Sequence, residues 1–168
     1  MKQVALWSLL CAGVLGMALG CGPSRRGVSR TPPRPVDHAD AIELWAMPPA
    51  AINWDEVPGP DGVRVSVYLY LAEQAQPVLV KGSLEFMMYE GRRPHEGPET
   101  VQPFRTWQFT EQELLTHQMR GPAGWGYAAQ LGWGRDVPKS AVITLLARYL
   151  PPAGPPVASS PIVIPIPK

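Results

Sequence analysis

The sequence predicts a mainly β fold, an antiparallel β-sandwich of seven or eight strands interrupted by one short helix at about 111–119, and three observations point to it. Apolar and polar residues alternate at period two over several stretches, as strands with one buried face require. Proline and glycine, at 21 and 16 of the 168 residues, concentrate between those stretches and mark closely spaced turns. A single helical segment carries full start and stop signals, which is too little helix for a parallel α/β fold.

Residues 1–20 read as an address and not as part of that fold. Lys2 is the only charge ahead of an apolar run from Val4 to Leu19, and the run is shorter than the ~20 residues a membrane-spanning helix needs. It closes on the small residues Ala18 and Gly20 just before Cys21, the layout of a secretion signal. Ala18-Leu19-Gly20-Cys21 resembles the lipobox of bacterial lipoproteins. It departs from the usual pattern at Ala18, where Leu is common, and at Leu19, where Ala or Ser is common, so the register depends on Gly20-Cys21. The resemblance implies cleavage between Gly20 and Cys21, a diacylglyceryl group on the Cys21 sulfur, and a fatty acid such as palmitate on the new amino group. Cys11, in mid-run after Leu9-Leu10, has no small residue before it and suits processing poorly. Lipoproteins with Asp after the cysteine stay in the inner membrane, and Gly22 in that place implies the outer membrane of the cell envelope. The alternative is an uncleaved amphiphilic segment with Cys21 buried.

Residues 21–40 follow as the lipidated cysteine and a tether. Arg25, Arg26, Arg30 and Arg34 stand among Pro23, Pro32, Pro33 and Pro35, so the tether is stiffened and basic. It reads as a solvated spacer or as arginines meeting anionic headgroups, each contributing on the order of 1 kcal/mol. Without Lys2 the chain has 14 basic and 14 acidic side chains, which gives no footing for nucleic-acid binding. Both cysteines are used before the domain begins, so stability there comes from packing and not from a disulfide.

The domain, residues 41–168, opens with a short strand at 42–45. Val63, Val65, Val67, Leu69 and Leu71 then share one parity against Arg64, Ser66, Tyr68 and Tyr70, with Asp61-Gly62 as turn entry. A short strand at 78–80 is followed by Leu84, Phe86 and Met88, another short strand at 104–109, and, late in the chain, Ile143, Leu145, Ala147 and Tyr149. Trp125, Tyr127, Ala129, Leu131 and Trp133 form a further strand, whose other parity holds Gly126, Ala128, Gly132 and Gly134 and is nearly bare. Ile162, Ile164 and Ile166 alternate with Pro161, Pro165 and Pro167, which confines that strand to an edge and makes it a candidate docking edge for a partner strand.

The helix begins at Thr110, an N-cap with Glu113 in capping-box position and a Phe109–Leu114 staple. His117 and Arg120 are expected in its last turn, Gly121 and Pro122 as its stop, and Leu114, Leu115 and Met119 toward the core. The run from Gly62 to Tyr89, a long strand feeding two shorter ones, resembles the opening of immunoglobulin-like and transthyretin-like envelope sandwiches. That resemblance implies fold alone.

No chemistry-bearing motif accompanies this frame. G-x-S-x-G and S-x-x-K are missing, and His38, His95 and His117 lack metal-ligand spacing. Glu113 and His117 could supply two ligands without a third, and carboxylate pairs Glu96/Glu99 and Glu111/Glu113 have no reason to face a cleft. The expectation is a non-enzymatic protein with no metal or cofactor, an interaction or structural module held to membrane lipid by Cys21. One alternative is a carbohydrate-binding module using the Trp-rich strand 124–134, with Trp125, Tyr127 and Trp133 as ligand-binding rings if they lie exposed. The other is an envelope hydrolase built around His95, Glu96 and His117. An envelope protein or a glycan is the partner these readings imply.

Overall fold

Two five-stranded antiparallel sheets form a β-sandwich in the computed structural model, which describes residues 31–93 and 102–167. The signal, Gly20, Cys21, residues 22–30 of the tether, and His95, Glu96 and Glu99 lie outside the described residues. Ten strands and one helix follow in the order β1 (Ala41–Trp45), β2 (Ala51–Ile52), β3 (Gly62–Tyr70), β4 (Ser83–Glu90), β5 (Arg105–Phe109), α1 (Glu111–His117), β6 (Gln118–Arg120), β7 (Trp125–Gly132), β8 (Val142–Leu150), β9 (Val157–Ala158) and β10 (Ile162–Pro165). The first sheet runs β1-β3-β7-β6 with β2 also on β3, and the second runs β10-β8-β4-β5 with β9 also on β8.

Parity explains why these segments are strands. Val63, Val65, Val67 and Leu69 of β3 and Tyr127, Ala129 and Leu131 of β7 turn inward from the first sheet. Leu84, Phe86 and Met88 of β4 and Ile143, Leu145, Ala147 and Tyr149 of β8 meet them from the second. Burying each large aliphatic chain contributes about 1.5–3 kcal/mol, so a one-residue slip of any central strand would forfeit several such contributions together.

The strand count differs from the expected seven or eight for two reasons. Segments β2, β6 and β9 are only two or three residues long and carry no periodicity that a sequence pattern could register. Conversely, 78–80 is not a strand: Val78 N–H donates to Leu69 O at 2.8 Å and Val80 bridges Val36, so this stretch touches two different partners one residue at a time.

The helix is shorter than expected and ends at His117, with Gln118 already extended at φ −60° and ψ 132°. Gln118, Met119 and Arg120 pair instead with Tyr127, Gly126 and Trp125 across the tight turn at 121–124, whose ends exchange hydrogen bonds of 2.8 and 3.2 Å. A ladder on β7 satisfies those backbone groups, so Arg120 is a strand residue and Gly121 belongs to a hairpin, not to a helix stop. The capping box is present as expected, with Glu113 Oε2 accepting from Thr110 N–H at 2.8 Å. Leu114 is buried, whereas Leu115 is 49% exposed and contributes nothing to the core.

At the edge strand β10, Ile166 N–H donates to Ala141 O at 2.9 Å, which fixes the parity of that strand. Even-numbered amides point at β8, and the outward positions are Pro161, Val163, Pro165 and Pro167. Three of these four have no N–H, so this edge offers few donors to an added strand.

Candidate functional site

The Trp-rich strand is a core strand. Tyr127 is 2% exposed and Trp133 is fully buried, while Trp125 is half-buried against the same cluster. Trp133 Nε1–H donates to Pro60 O at 2.8 Å, and Tyr127 Oη accepts from Val80 N–H at 2.8 Å and donates to Val80 O at 3.2 Å. Burial pushes the Tyr127 hydroxyl up to about 12, even though its Val80 bond works the other way. Trp107 and Phe86 pack with this cluster, and Trp107 Nε1–H donates to Gly132 O at 3.0 Å. Arg105 lies over the Trp107 ring at 5.6 Å and donates to Trp133 O, which ties β5 to the end of β7.

The bare parity of β7 faces outward, and aromatic rings from elsewhere lie on it. A Cβ on Gly126 would stand 2.5 Å from Val67 O and 2.8 Å from the Tyr68 ring, so Tyr68 occupies the space that glycine leaves. Although Tyr68 is on the outward parity of β3, it is fully buried, covered by Trp45 edge-to-face at 5.0 Å and 64°. Its hydroxyl sits beside the Ala123 backbone with no hydrogen-bond partner among the described residues, and burial raises its pKa. Further along, Trp54 lies over Gly62 and Gly132; a Cβ on Gly132 would stand 3.2 Å from its Cζ2, and one on Gly62 would collide with its Cη2.

Trp54 is held by its own loop. Its N–H donates to Asp61 Oδ2 at 2.7 Å, Asn53 Nδ2 donates to Val57 O at 2.7 Å, and Val57 N–H donates to Asp55 Oδ1 at 2.7 Å. At the other end of the face, Trp45 Nε1–H and Tyr70 Oη–H both donate to Glu43 Oε2 at 3.2 Å. Burial, then the Glu43 carboxylate, raises the Tyr70 pKa. Between the two indoles, exposed Arg64 and Gln130 stand as direct cross-strand partners. Trp45 is 36% and Trp54 46% exposed, and Met47 and Val57 in the same stretch of chain from β1 to β3 are exposed as well.

Sequence reasoning missed Trp45 and Trp54 as surface rings. The alternation Ile42-Glu43-Leu44-Trp45 already places Trp45 outward, but nothing local tells that Trp54 lies across a glycine pair joined by strand register.

Of the residues considered for catalysis, His95, Glu96 and Glu99 lie outside the described residues, and the others are each engaged locally. His117 Nδ1 is 2.9 Å from Ala128 O and its ring packs edge-to-face on Phe109 at 4.7 Å. Glu113 is occupied by Thr110, whose backbone N–H and hydroxyl hold its carboxyl below the usual range, and Glu111 accepts from Gly82 N–H at 3.2 Å. His38 is exposed at the domain entry. Among the described residues no three His, Cys, Asp or Glu side chains are grouped to hold a metal, and no helix is long and apolar enough to cross a membrane.

No protein-family model matches this chain, and no curated protein or solved structure is significantly similar to it.

Proposed function

We propose that this protein is a lipid-anchored lipoprotein of the bacterial cell envelope, sorted to the outer membrane, whose β-sandwich is a non-catalytic interaction module. The observation that carries the reading is Gly20-Cys21 at the end of a single-charge apolar run, with Gly22 and not Asp after it. Each buried methylene of an acyl chain contributes about 0.8 kcal/mol, so two or three chains on Cys21 hold the protein at the bilayer without a spanning segment. The basic, proline-stiffened stretch 22–35 then sets the domain off from the surface.

The domain side of the reading rests on what its surface offers. Buried tyrosines and tryptophans serve packing, the helix carboxylates serve backbone caps, and the exposed indoles Trp45 and Trp54 lie together on one outer face. Labelling cells with a fatty-acid analogue tests the anchor: the wild-type chain takes up label and fractionates with membranes, and Cys21→Ala takes up none and becomes soluble in the envelope. Label retained by Cys21→Ala would overturn the reading.

A further inference from the structure

We propose that the tether binds anionic phospholipid headgroups through Arg25, Arg26, Arg30 and Arg34, a second hold on the bilayer beside the acyl chains of Cys21. This deepens the anchor reading and rests on it for bringing these arginines to a membrane.

Charge in this chain is divided by position. Residues 21–36 hold four arginines and no Asp, Glu or Lys, whereas residues 37–168 hold ten basic and fourteen acidic side chains. A near-neutral total therefore conceals a segment of net charge +4 joined to a domain of net charge −4. The fold keeps the two apart. Val36 is held by the sandwich, its N–H donating to Leu79 O and its carbonyl accepting from Lys81 N–H, both at 2.8 Å. Asp37, the acid closest in sequence to the arginines, is paired with Lys81 at 2.6 Å. Arg34, two residues before Val36, is exposed, and Pro32, Pro33 and Pro35 around it lack the N–H that would tie this stretch into a ladder.

Cation type and position select the occupant. All four cations are arginine, whose planar fork donates two parallel hydrogen bonds to a phosphate, where lysine offers a point charge. Arg25 and Arg26 follow Cys21 by four and five residues, at most about 14 and 18 Å of extended chain, so an anchored Cys21 brings them within reach of the headgroups. A soluble polyanion would have to approach against the excess acid of the domain, whereas the bilayer is already at hand. Each arginine near an anionic surface strengthens binding about fivefold, the equivalent of ~1 kcal/mol, and its attraction fades within a Debye length of about 8 Å at physiological salt. The tether therefore binds where it runs along the headgroups. With its excess of acid, the domain adds no attraction of its own, so any preference for anionic lipid reports the tether.

The test is limited trypsin digestion of the full chain in vesicles of equal parts phosphatidylglycerol and phosphatidylcholine, and in vesicles of phosphatidylcholine alone, read by mass spectrometry. Cleavage after Arg26 and Arg30 is followed relative to cleavage after exposed Lys139 in the β7–β8 loop. On the anionic vesicles that relative rate should fall at least about fivefold, and the difference should vanish in ~1 M salt, where the Debye length is about 3 Å. Equal relative rates on the two vesicles overturn the proposal, as does a slowing that 1 M salt leaves unchanged. An acylated Cys21 and an uncleaved apolar run would each hold the chain to the vesicle, so the comparison stands even if the anchor is not as proposed. The mass of the fragment ending at Arg26 separately shows whether the chain began at Cys21, which distinguishes failure of the anchor from failure of the arginines. A second measurement uses the chain from Gly22 to Lys168, which has neither signal nor acyl group. It retains the whole fold, because every residue of the core cluster lies between Val36 and Ile166, and circular dichroism checks this. This chain should sediment with the anionic vesicles at least about tenfold more tightly than its Arg25→Gln, Arg26→Gln, Arg30→Gln, Arg34→Gln variant. Equal sedimentation of the two folded chains overturns the proposal.

Discussion

Replacing Trp133 by alanine is the sharpest perturbation of the packing described above. The ring, just past the end of β7, is fully buried in the core cluster, and its Nε1–H bond to Pro60 O is lost with it. A buried tryptophan removes ~150–250 Å² from water, which at ~25 cal/mol per Å² corresponds to about 4–6 kcal/mol. A realistic unfolded chain already hides ~10–40% of that surface, and the unpaired Pro60 carbonyl adds about 1 kcal/mol of cost. The net loss is about 3–5 kcal/mol, within the range of large-to-small aromatic substitutions, out of a total stability of roughly 5–15 kcal/mol. For a chain of this size each kcal/mol moves the melting temperature by roughly 2–4 °C, so a drop of about 10–15 °C is expected. Thermal melts followed by circular dichroism measure it, with half-buried Trp125→Ala as the internal comparison and a drop less than half as large. A Trp133→Ala protein that melts within ~3 °C of wild type would refute the assignment of this ring to the core.

Three other outcomes follow from the same contacts. Tyr68→Phe removes a buried hydroxyl without a hydrogen-bond partner, so denaturant unfolding should find it unchanged or up to about 1 kcal/mol more stable; a loss above ~1.5 kcal/mol would mean that the hydroxyl is paired in solution. Gly126→Ala pushes a methyl into the Val67 carbonyl and the Tyr68 ring and should cost about 1–3 kcal/mol in the same assay, whereas no loss would mean that β7 does not approach β3 as closely as described. Burial raises the hydroxyls of Tyr127 and Tyr149 to about 12, above their value near 10 in the unfolded chain. Their contribution is therefore fully present below pH ~10 and is lost as the pH rises from ~10 toward ~12, so melting temperature should fall across that window; a flat profile there would contradict their burial.

Much of the fold was legible because burial on one face writes itself into the sequence at period two. Val63 to Leu69 and Ile143 to Tyr149 could be assigned to strands, and to a face, from their own residues alone. The end of α1 could not, because Gln118 leaves the helix to pair with Tyr127, a contact set by a turn and a neighbouring strand rather than by helix propensity. For the same reason 78–80 looked like a strand: its apolar residues are buried, but its backbone changes partner at each step. The indole face was the least legible feature. Gly62, Gly132 and Trp54 are scattered in sequence and meet only through the β3–β7 register, and the proline parity of β10 became readable only once one hydrogen bond fixed its direction. The proposed lipobox is the opposite case, since a signal of that kind is read as a linear string and needs no tertiary neighbour.

The lipid anchor is tested most directly by the mass and fragmentation of the N-terminal peptide of the protein purified from cell membranes. A chain that begins at Cys21 and carries a diacylglyceryl group on sulfur with a fatty acid on nitrogen is expected. A peptide that begins elsewhere, or an unmodified Cys21 at the start of a soluble chain, would contradict it.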